Sequence, residues 1–482
     1  MLSRHLARGA PPMARMTPLL ALWALACLSG CGGEASGPRP PNLLLISLDT
    51  LRADHLGCYG YERPTSPVLD ALAARSVRFA AASSHSPKTG PSHMSILTGL
   101  LPDAHGVPNL GDEGNRRLSP HVPTLAQLLA EAGWRTGAWH GGGHLSEQLG
   151  FAAGFEQFEG PGGVVTNVDA ALDAMQRWAD EPWFLFVHTY EIHDPYLPPE
   201  PFRGQFIDDD YEGRVTYTRE GLKSATGNDW EQQHELFWLR VDRASEDDTA
   251  RLIDLYDAGI AFTDQQVGRL LEGLAQQGLD DETIVVLLSD HGEQFNEHGD
   301  YLHNAVYEEL LHVPLIVSVP PALAPSLPPA ALSGHAIDAP VQLVDVLPTV
   351  LELLDVERPA HVQGRSLLPL MRGQHAGAVD GYANWPRAHE WALKSGRFKL
   401  IRREHAGGDA THELFDLEAD PRERHDLAVG DPQRVADLTQ RLLSLREVCR
   451  GYLSSLEAGQ EVVLDEETRR NLEALGYLGG GN

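Results

Sequence analysis

Short runs of almost continuously apolar residues, most of them ending in charged or imidazole side chains, recur along this chain and restrict the folds open to it. Leu43 to Leu48, Trp183 to Val187, Thr283 to Leu288 and Val313 to Val319 lack the alternation of a half-exposed strand. They read as strands buried on both faces. Between them lie helical patterns such as Thr124 to Ala132 and Thr263 to Leu274. Such alternation predicts an α/β fold, a mostly parallel central sheet with helices on both faces. In sheets of this kind ligands bind beyond the carboxyl ends of the strands. The first strand delivers Asp49 there, and the strand at Trp183 delivers His188 and then His193-Asp194-Pro195-Tyr196. The strand at Thr283 delivers Asp290-His291-Gly292-Glu293, and a weaker strand, Arg135 to Trp139, ends in His140 and His144. The Val313 strand delivers no such group.

With 482 residues, 42% of them hydrophobic, the chain holds enough apolar surface for one large domain, residues 41–375, and a smaller one, 376–482. The smaller one reads as α+β: antiparallel strands over His389 to Arg403 and Glu413 to Leu417, packed by a helix from Pro432 to Leu445. A net charge of −30 opposes a nucleic-acid partner. An anionic substrate must then meet local positive charge, for which a metal ion is the economical source. The stretch Arg203 to Asp248 has little periodicity and reads as a surface excursion over the site, suited to substrate selection. Cys58 and Cys449 lie too far apart in sequence to suggest a disulfide framework, though they leave room for a single bridge.

The first forty residues stand outside the fold. Arg4, Arg8 and Arg15 precede the apolar run Pro18 to Leu28, too short to span a bilayer but suited to a secretory signal. It ends in Leu28-Ser29-Gly30-Cys31, which resembles a bacterial lipobox. The expectation is a signal peptide over residues 1–30, lipid on Cys31, a tether over 31–40, and a chain exported to the periplasmic or cell-surface side, touching membrane through that lipid only.

The run Ser86-Pro87-Lys88-Thr89-Gly90-Pro91-Ser92-His93 leads into an apolar stretch closed by Gly99, a loop turning into a short helix. Thr89 falls at or beside its N-terminus, where free N–H groups and the helix dipole favour an anion. A hydroxyl residue there is ordinarily just a cap. In company with Asp49, Asp290, His291 and His303 it points to a metal-assisted site.

Together these segments resemble the sulfatase family of the alkaline-phosphatase superfamily. The resemblance rests on Asn42 to Asp49 with Leu51-Arg52-Ala53-Asp54, on Pro91-Ser92-His93-Met94-Ser95-Ile96-Leu97-Thr98-Gly99, and on Ser289-Asp290-His291-Gly292-Glu293 with Glu297-His298-Gly299. It continues, in order, through Tyr256-Asp257, Val313 to Val317, Gln363-Gly364-Arg365 and Leu414-Phe415-Asp416-Leu417. The departures are as informative. Where the family carries Cys-x-Pro-Ser-Arg, whose Cys is oxidised to formylglycine, this chain has Thr89-Gly90-Pro91-Ser92-His93. Oxidation of Thr would give a ketone, so no formylglycine is expected. The family's Asp-Asp pair is Asp49-Thr50, and its substrate-binding Lys is replaced by His303.

Those departures resemble Thr-nucleophile phosphodiesterases and phosphoethanolamine or phosphoglycerol transferases of the superfamily. The resemblance implies Asp49, Asp290 and His291 as ligands of one divalent metal, with Thr89 as nucleophile and fourth ligand. Mixed carboxylate and imidazole ligation suits Zn²⁺ or Mn²⁺, while the family resemblance brings in Ca²⁺. His193 and His303 would bind substrate oxygens, protonate the leaving group, or hold a second metal. Lys88 and His93 would add positive charge beside the nucleophile, unless Lys88 points to solvent. His140 matches the His of the family's Lys-Trp-His segment as a substrate-binding group. The implied function is metal-dependent hydrolysis of sulfate or phosphate esters, phosphoesters favoured by Thr89. An envelope head-group transferase and a non-catalytic glycan-binding lipoprotein are the alternatives.

Overall fold

Each continuously apolar run becomes a strand. The computed structural model describes residues 39–109, 116–207, 210–227, 229–320, 327, 334–375, 377 and 379–456. The expected signal peptide, Cys31 and most of the tether lie outside the described residues. In chain order the strands are β1 (Asn42–Leu48), β2 (Val77–Ser83), β3 (Arg135–Trp139), β4 (Gln157–Glu159), β5 (Trp183–Thr189) and β6 (Thr283–Leu288). A two-stranded ribbon, β7 (Gln294–Phe295) and β8 (Tyr301–Leu302), precedes β9 (His312–Ser318), β10 (His335–Ile337) and β11 (Val341–Gln342). The main sheet runs β10-β2-β9-β6-β1-β5-β3-β4, with β11 also beside β2.

Around β1 the sheet is parallel: Ser47 stands opposite His188 of β5 on one side and Leu288 of β6 on the other. All seven residues of β1 are buried, as a strand covered on both faces requires. Its side chains alternate between two cores. Leu43 and Leu45 join Phe184, Ile284 and Val286 in one; Leu44 and Ile46 join Leu185, Val285 and Leu287 in the other. β9 runs antiparallel to both β2 and β6, which makes the sheet mixed. Its carboxyl end therefore faces away from the rim used by β1, β5 and β6, which explains why this strand brings no polar cluster there.

The helices in chain order are α1 (Pro67–Ala73), α2 (Thr89–Thr98), α3 (Pro102–His105), α4 (Leu125–Glu131), α5 (Val164–Arg177), α6 (Phe202–Phe206), α7 (Arg219–Thr226), α8 (Trp230–Trp238) and α9 (Glu246–Gln276). They are followed by α10 (Glu308–Leu311), α11 (Val346–Leu353), α12 (Leu368–Met371) and α13 (Pro432–Ser455). α4 starts with a reciprocal capping box between Thr124 and Gln127. Ser245 Oγ accepts from Asp248 N (3.1 Å) and opens α9, one 31-residue helix that absorbs the shorter pattern expected over Thr263 to Leu274. α5 and α9 approach closely at Gly273, where a Cβ would lie 2.2 Å from Leu172 Cδ2. The excursion after β5 is not a plain loop, since it folds as α6, α7 and α8. Asp345 precedes α11, but its carboxylate accepts from Gln342 N (2.9 Å) and Arg365 N (2.8 Å) and gives that helix no side-chain cap.

A separate antiparallel sheet follows, β12 (Gly381–Trp385), β13 (Glu390–Ser395), β14 (Phe398–Glu404) and β15 (Ala410–Asp416), in that spatial order. α13 packs on it. From Pro40 onward the chain forms one compact unit that includes this sheet. β12 went unread in the sequence because Gly381-Tyr382-Ala383-Asn384-Trp385 carries little apolar pattern. Cys58 and Cys449 are both free thiols.

Candidate active site

The register of β1 and β6 decides the first contact. Ser47 pairs with Leu288, so Asp49 and Asp290, each two residues on, leave adjacent strands side by side. α2 brings Thr89 as its first helical residue, with the hydroxyl at the positive end of the helix. Thr89 Oγ1 donates to Asp49 Oδ2 (3.1 Å) and lies 3.5 Å from His291 Nε2. Ligating atoms of Asp49, Asp290 and His291 all lie within 4.8 Å of one another, and all three residues are buried. Three segments far apart in sequence thus bring four residues to one point.

The electrostatics there are unusual for a core. Burial pushes the Asp49 carboxyl up to about 6, and burial together with the Asp49 charge holds Asp290 well above the usual carboxylate range. Asp49 Oδ1 and both Asp290 oxygens are buried without a hydrogen-bond donor among the described residues. His291 Nδ1–H donates to the Gly292 carbonyl (3.0 Å), which leaves Nε2 as the lone-pair nitrogen, 3.4 Å from Asp290 Oδ2. Orphaned carboxylate oxygens beside a tautomer-fixed imidazole fit a divalent cation. Thr50 is no part of that donor set. It sits at φ 60°, a left-handed conformation worth about 1–2 kcal/mol of strain for a β-branched residue, and its hydroxyl donates to the Asp49 carbonyl (2.7 Å).

The other expected residues gather at different depths. The rings of His193 and His303 lie 5.1 Å apart, and His303 lies 4.7 Å from His291, so both border the cluster. Burial and the neighbouring Lys88 ammonium push the His303 imidazole well below its ordinary range. Lys88 does not point to solvent: it is 7% exposed, and its Nζ donates to Asn304 Oδ1 (2.9 Å). His93 lies deeper. Its Nε2 accepts from Ser47 Oγ (2.8 Å) and its Nδ1–H donates to the Thr89 carbonyl (2.9 Å), so both ring nitrogens brace α2 against β1. His140 packs on Phe158 (ring centroids 4.3 Å apart), with Nδ1 accepting from Gly142 N (3.1 Å), outside the cluster of ligating atoms.

Sequence reasoning gave no role to several residues that complete this site. His188 Nδ1 accepts from Gly141 N (3.3 Å), so its Nε2–H is the proton facing Asp49 Oδ2 at 3.4 Å. Its signal was a polar residue interrupting an apolar strand beside Asp49. Glu293, fully buried, accepts from His303 Nδ1 (3.2 Å). His193 Nδ1–H donates to the Asp194 carbonyl (2.8 Å), and the Asp194 carboxylate receives His234 Nε2 (2.9 Å) and Trp238 Nε1 (3.0 Å) from α8. The excursion therefore clamps the residue next to His193. No sequence pattern announces that clamp, because it joins segments separated by α6 and α7.

A family model described as Sulfatase matches residues 41–356, and a second, described as N-sulphoglucosamine sulphohydrolase, C-terminal, matches 296–448. An N-acetylglucosamine-6-O-sulfatase of Bacteroides thetaiotaomicron is 26% identical, over 95% of each chain. Among solved structures, one bound to its substrate D-glucosamine-2-N,6-O-disulfate superposes with TM-score 0.67 at 22% identity, covering 86% of this chain and 98% of that one. A phosphonate monoester hydrolase from Silicibacter pomeroyi superposes equally well, TM-score 0.67 at 21% identity, over 88% and 100%. These two likenesses concern the fold. With a single family model spanning most of the sheet and every residue of the cluster, the chain belongs to the sulfatase family and is a hydrolase of sulfuric or phosphoric esters.

Proposed function

We propose that this chain hydrolyses phosphoric esters, with Thr89 as the nucleophile. The observation that carries the reading is the Thr89 hydroxyl itself, at a helix N-terminus, bonded to Asp49 and facing His291. Asp49, Asp290 and His291 would hold one divalent cation, with Thr89 beside it, and the nitrogen in the set favours Zn²⁺ or Mn²⁺ over Ca²⁺. When bound, such an ion lowers the hydroxyl pKa and neutralises charge on the phosphoryl oxygens. The chain's own groups then divide the work. Asp49 Oδ2 takes the Thr89 proton while Oγ1 bonds to phosphorus and the bond from phosphorus to the alcohol oxygen breaks. The departing oxygen takes a proton from His193, and His303, whose Nδ1–H is held by Glu293, borders the site without a proton to give. Water then attacks phosphorus and gives a proton back to that histidine, while the bond from phosphorus to Oγ1 breaks and Oγ1 recovers its proton from Asp49, restoring the hydroxyl and releasing phosphate. His93 and His188 hold Thr89 and Asp49 in place, which their committed hydrogen bonds suit better than substrate contact.

A second reading is favoured by the sulfatase relatives. A sulfo-threonine would lack the easy elimination that formylglycine provides, so sulfate hydrolysis here would need direct attack by water. The same fold serves phosphonate ester hydrolysis in the Silicibacter protein, so the frame opposes neither reading. The decisive experiment compares an aryl sulfate, phosphate monoester and phosphate diester with Zn²⁺, Mn²⁺ or Ca²⁺, beside Thr89→Ala. Dominant phosphoester cleavage abolished by the substitution supports the proposal. Sulfate turnover that survives it would move the nucleophile to water. Within this reading the enzyme works outside the bacterial cytoplasm on a lipid at Cys31, and fatty-acid labelling lost in Cys31→Ala is the corresponding check.

A further inference from the structure

His193 sits in the middle of a short segment that leaves the carboxyl end of β5, and the excursion grips that segment on both sides of it. Arg219, the first residue of α7, pairs with the Glu191 carboxylate and donates Nε to the Leu197 carbonyl (2.9 Å). From α8, His234 Nε2 and Trp238 Nε1 donate to Asp194 Oδ2 (2.9 and 3.0 Å). Trp238 is itself braced, its ring 5.8 Å from Tyr301 and the Arg243 guanidinium 5.3 Å from its centroid.

The Asp194 carboxylate is divided between the two sides. Both α8 donors meet Oδ2, so the group is held from swinging away. Oδ1 lies 3.2 Å from His193 Nδ1, whose proton also goes to the Asp194 carbonyl (2.8 Å). Asp194 is 2% exposed. Against the cost of burial, the charges of His234 and His193 hold its carboxyl down to about 2. Against the same cost Asp194 holds the His234 imidazole above its ordinary range, with Arg243 opposing and Glu231 assisting. An apolar contact would anchor α8 without desolvating an ion pair. What the pair adds is a negative charge fixed beside one nitrogen of an imidazole at the rim.

Resting on the ester-hydrolase reading in which His193 protonates the departing oxygen, we propose that Asp194 is a positioning residue for that acid and that His234 and Trp238 complete it, so that docking of α8 sets the acid in place. In the step, the proton on His193 Nε2 goes to the departing oxygen, which keeps the electron pair of its broken bond. Nδ1 retains its proton, the ring passes from imidazolium to neutral, and Asp194 remains a carboxylate throughout. A buried carboxylate against one ring nitrogen fixes the direction of the other and stabilises the imidazolium. Such support matters for an ester of a weakly acidic alcohol, which leaves poorly as an anion, and is idle for an acidic phenol, which leaves readily.

The test measures kcat/KM on the metal-loaded full chain for two esters that differ only in the leaving alcohol, dinitrophenyl and phenyl phosphate, or the matching methyl phosphodiesters or sulfates where those are the class turned over. For the phenyl ester the expected loss is about 100-fold in Asp194→Asn and about tenfold in His234→Gln and in Trp238→Phe, while the dinitrophenyl ester changes by less than about threefold. Leu239→Ser, at the exposed end of the same helix, should alter neither. Equal losses on both esters would make the contact a scaffold and overturn the proposal, as would unchanged rates on both. If no ester is cleaved, the catalytic reading falls and the ring proton decides the positioning. The His193 Nδ1–H resonance, assigned by its disappearance in His193→Gln, should move upfield in Asp194→Asn and in His234→Gln and stay in place in Leu239→Ser. A resonance that neither substitution moves would overturn the role of Asp194 as well.

Discussion

Two groups of buried ionisable side chains in this molecule treat charge in opposite ways. Beside β14, Lys399 is 1% exposed and lies 3.0 Å from Glu308 Oε1 and 2.9 Å from Glu423 Oε1, while Lys394 lies 2.9 Å from Glu308 Oε2. Positive and negative groups alternate there, and against the cost of burial the two lysines hold Glu308 below its usual range. At the rim of the main sheet, Asp49 and Asp290 lie side by side among histidines that burial keeps neutral, with three carboxylate oxygens lacking donors. The first cluster is largely matched within the protein, burial outweighing the lysine only at Glu423, whose carboxyl is pushed up to about 7. The second is complete only with something added. Burial of charge is therefore common to structure and function here, and the pairing of that charge is what separates them.

The largest way to break this contrast is Thr89→Ala, which should lower kcat by about 10⁴-fold or more if Thr89 is the nucleophile, with little change in melting temperature. An equal loss of folding would show that the rim is structural as well. Next comes Lys399→Met, which takes the cation from Glu423 and leaves Glu308 with Lys394 alone, and should cost about 3–5 kcal/mol in urea unfolding. A cost under about 1 kcal/mol would mean that this cluster is no better matched than the rim. The pH dependence of the metal-free protein sharpens the comparison from the other side. Asp49 moves from 3.8 to about 6 on folding, so the folded state binds more protons between those values, and stability is lost as pH rises through that window. The loss is bounded at on the order of 3 kcal/mol, and Asp290, held higher still, carries it further upward. Urea melts from pH 4 to pH 8 in chelator should show it. Added Zn²⁺ or Mn²⁺ should reverse the slope, because metal competes with those protons; a flat profile in chelator would refute the account of the rim. The smallest effect is expected from Lys394→Ala, about 1 kcal/mol or less, because that ion pair is partly open to water.

Much of the rim was legible before the fold was known, and the reason is periodicity. Buried parallel strands write themselves as apolar runs, and the first polar residue after each run marks the ligand edge, which is how Asp49, Asp290 and His291 stand out. Strand direction carries no such mark. Val313 to Val319 looks like its neighbours yet runs the other way. Side-chain direction was equally hidden: Lys88 faces inward to Asn304, and His93 faces β1, because each partner lies on a segment distant in sequence. The clamp on Asp194 by His234 and Trp238 escaped for the same reason. β12 escaped because a strand that pairs on one side and borders a cavity needs little apolar pattern.

One further consequence follows from α2, all ten of whose residues are buried. A helix with no solvent-facing side opens only when the domain around it opens, so its amides should be among the last to exchange with deuterated water. Thr89, the nucleophile of the proposed reading, would thereby be positioned once, at folding, and stay fixed through each turnover. The more exposed helices α6 to α8 are free of that constraint, and α8, through His234 and Trp238 on Asp194, is where they meet the rigid centre.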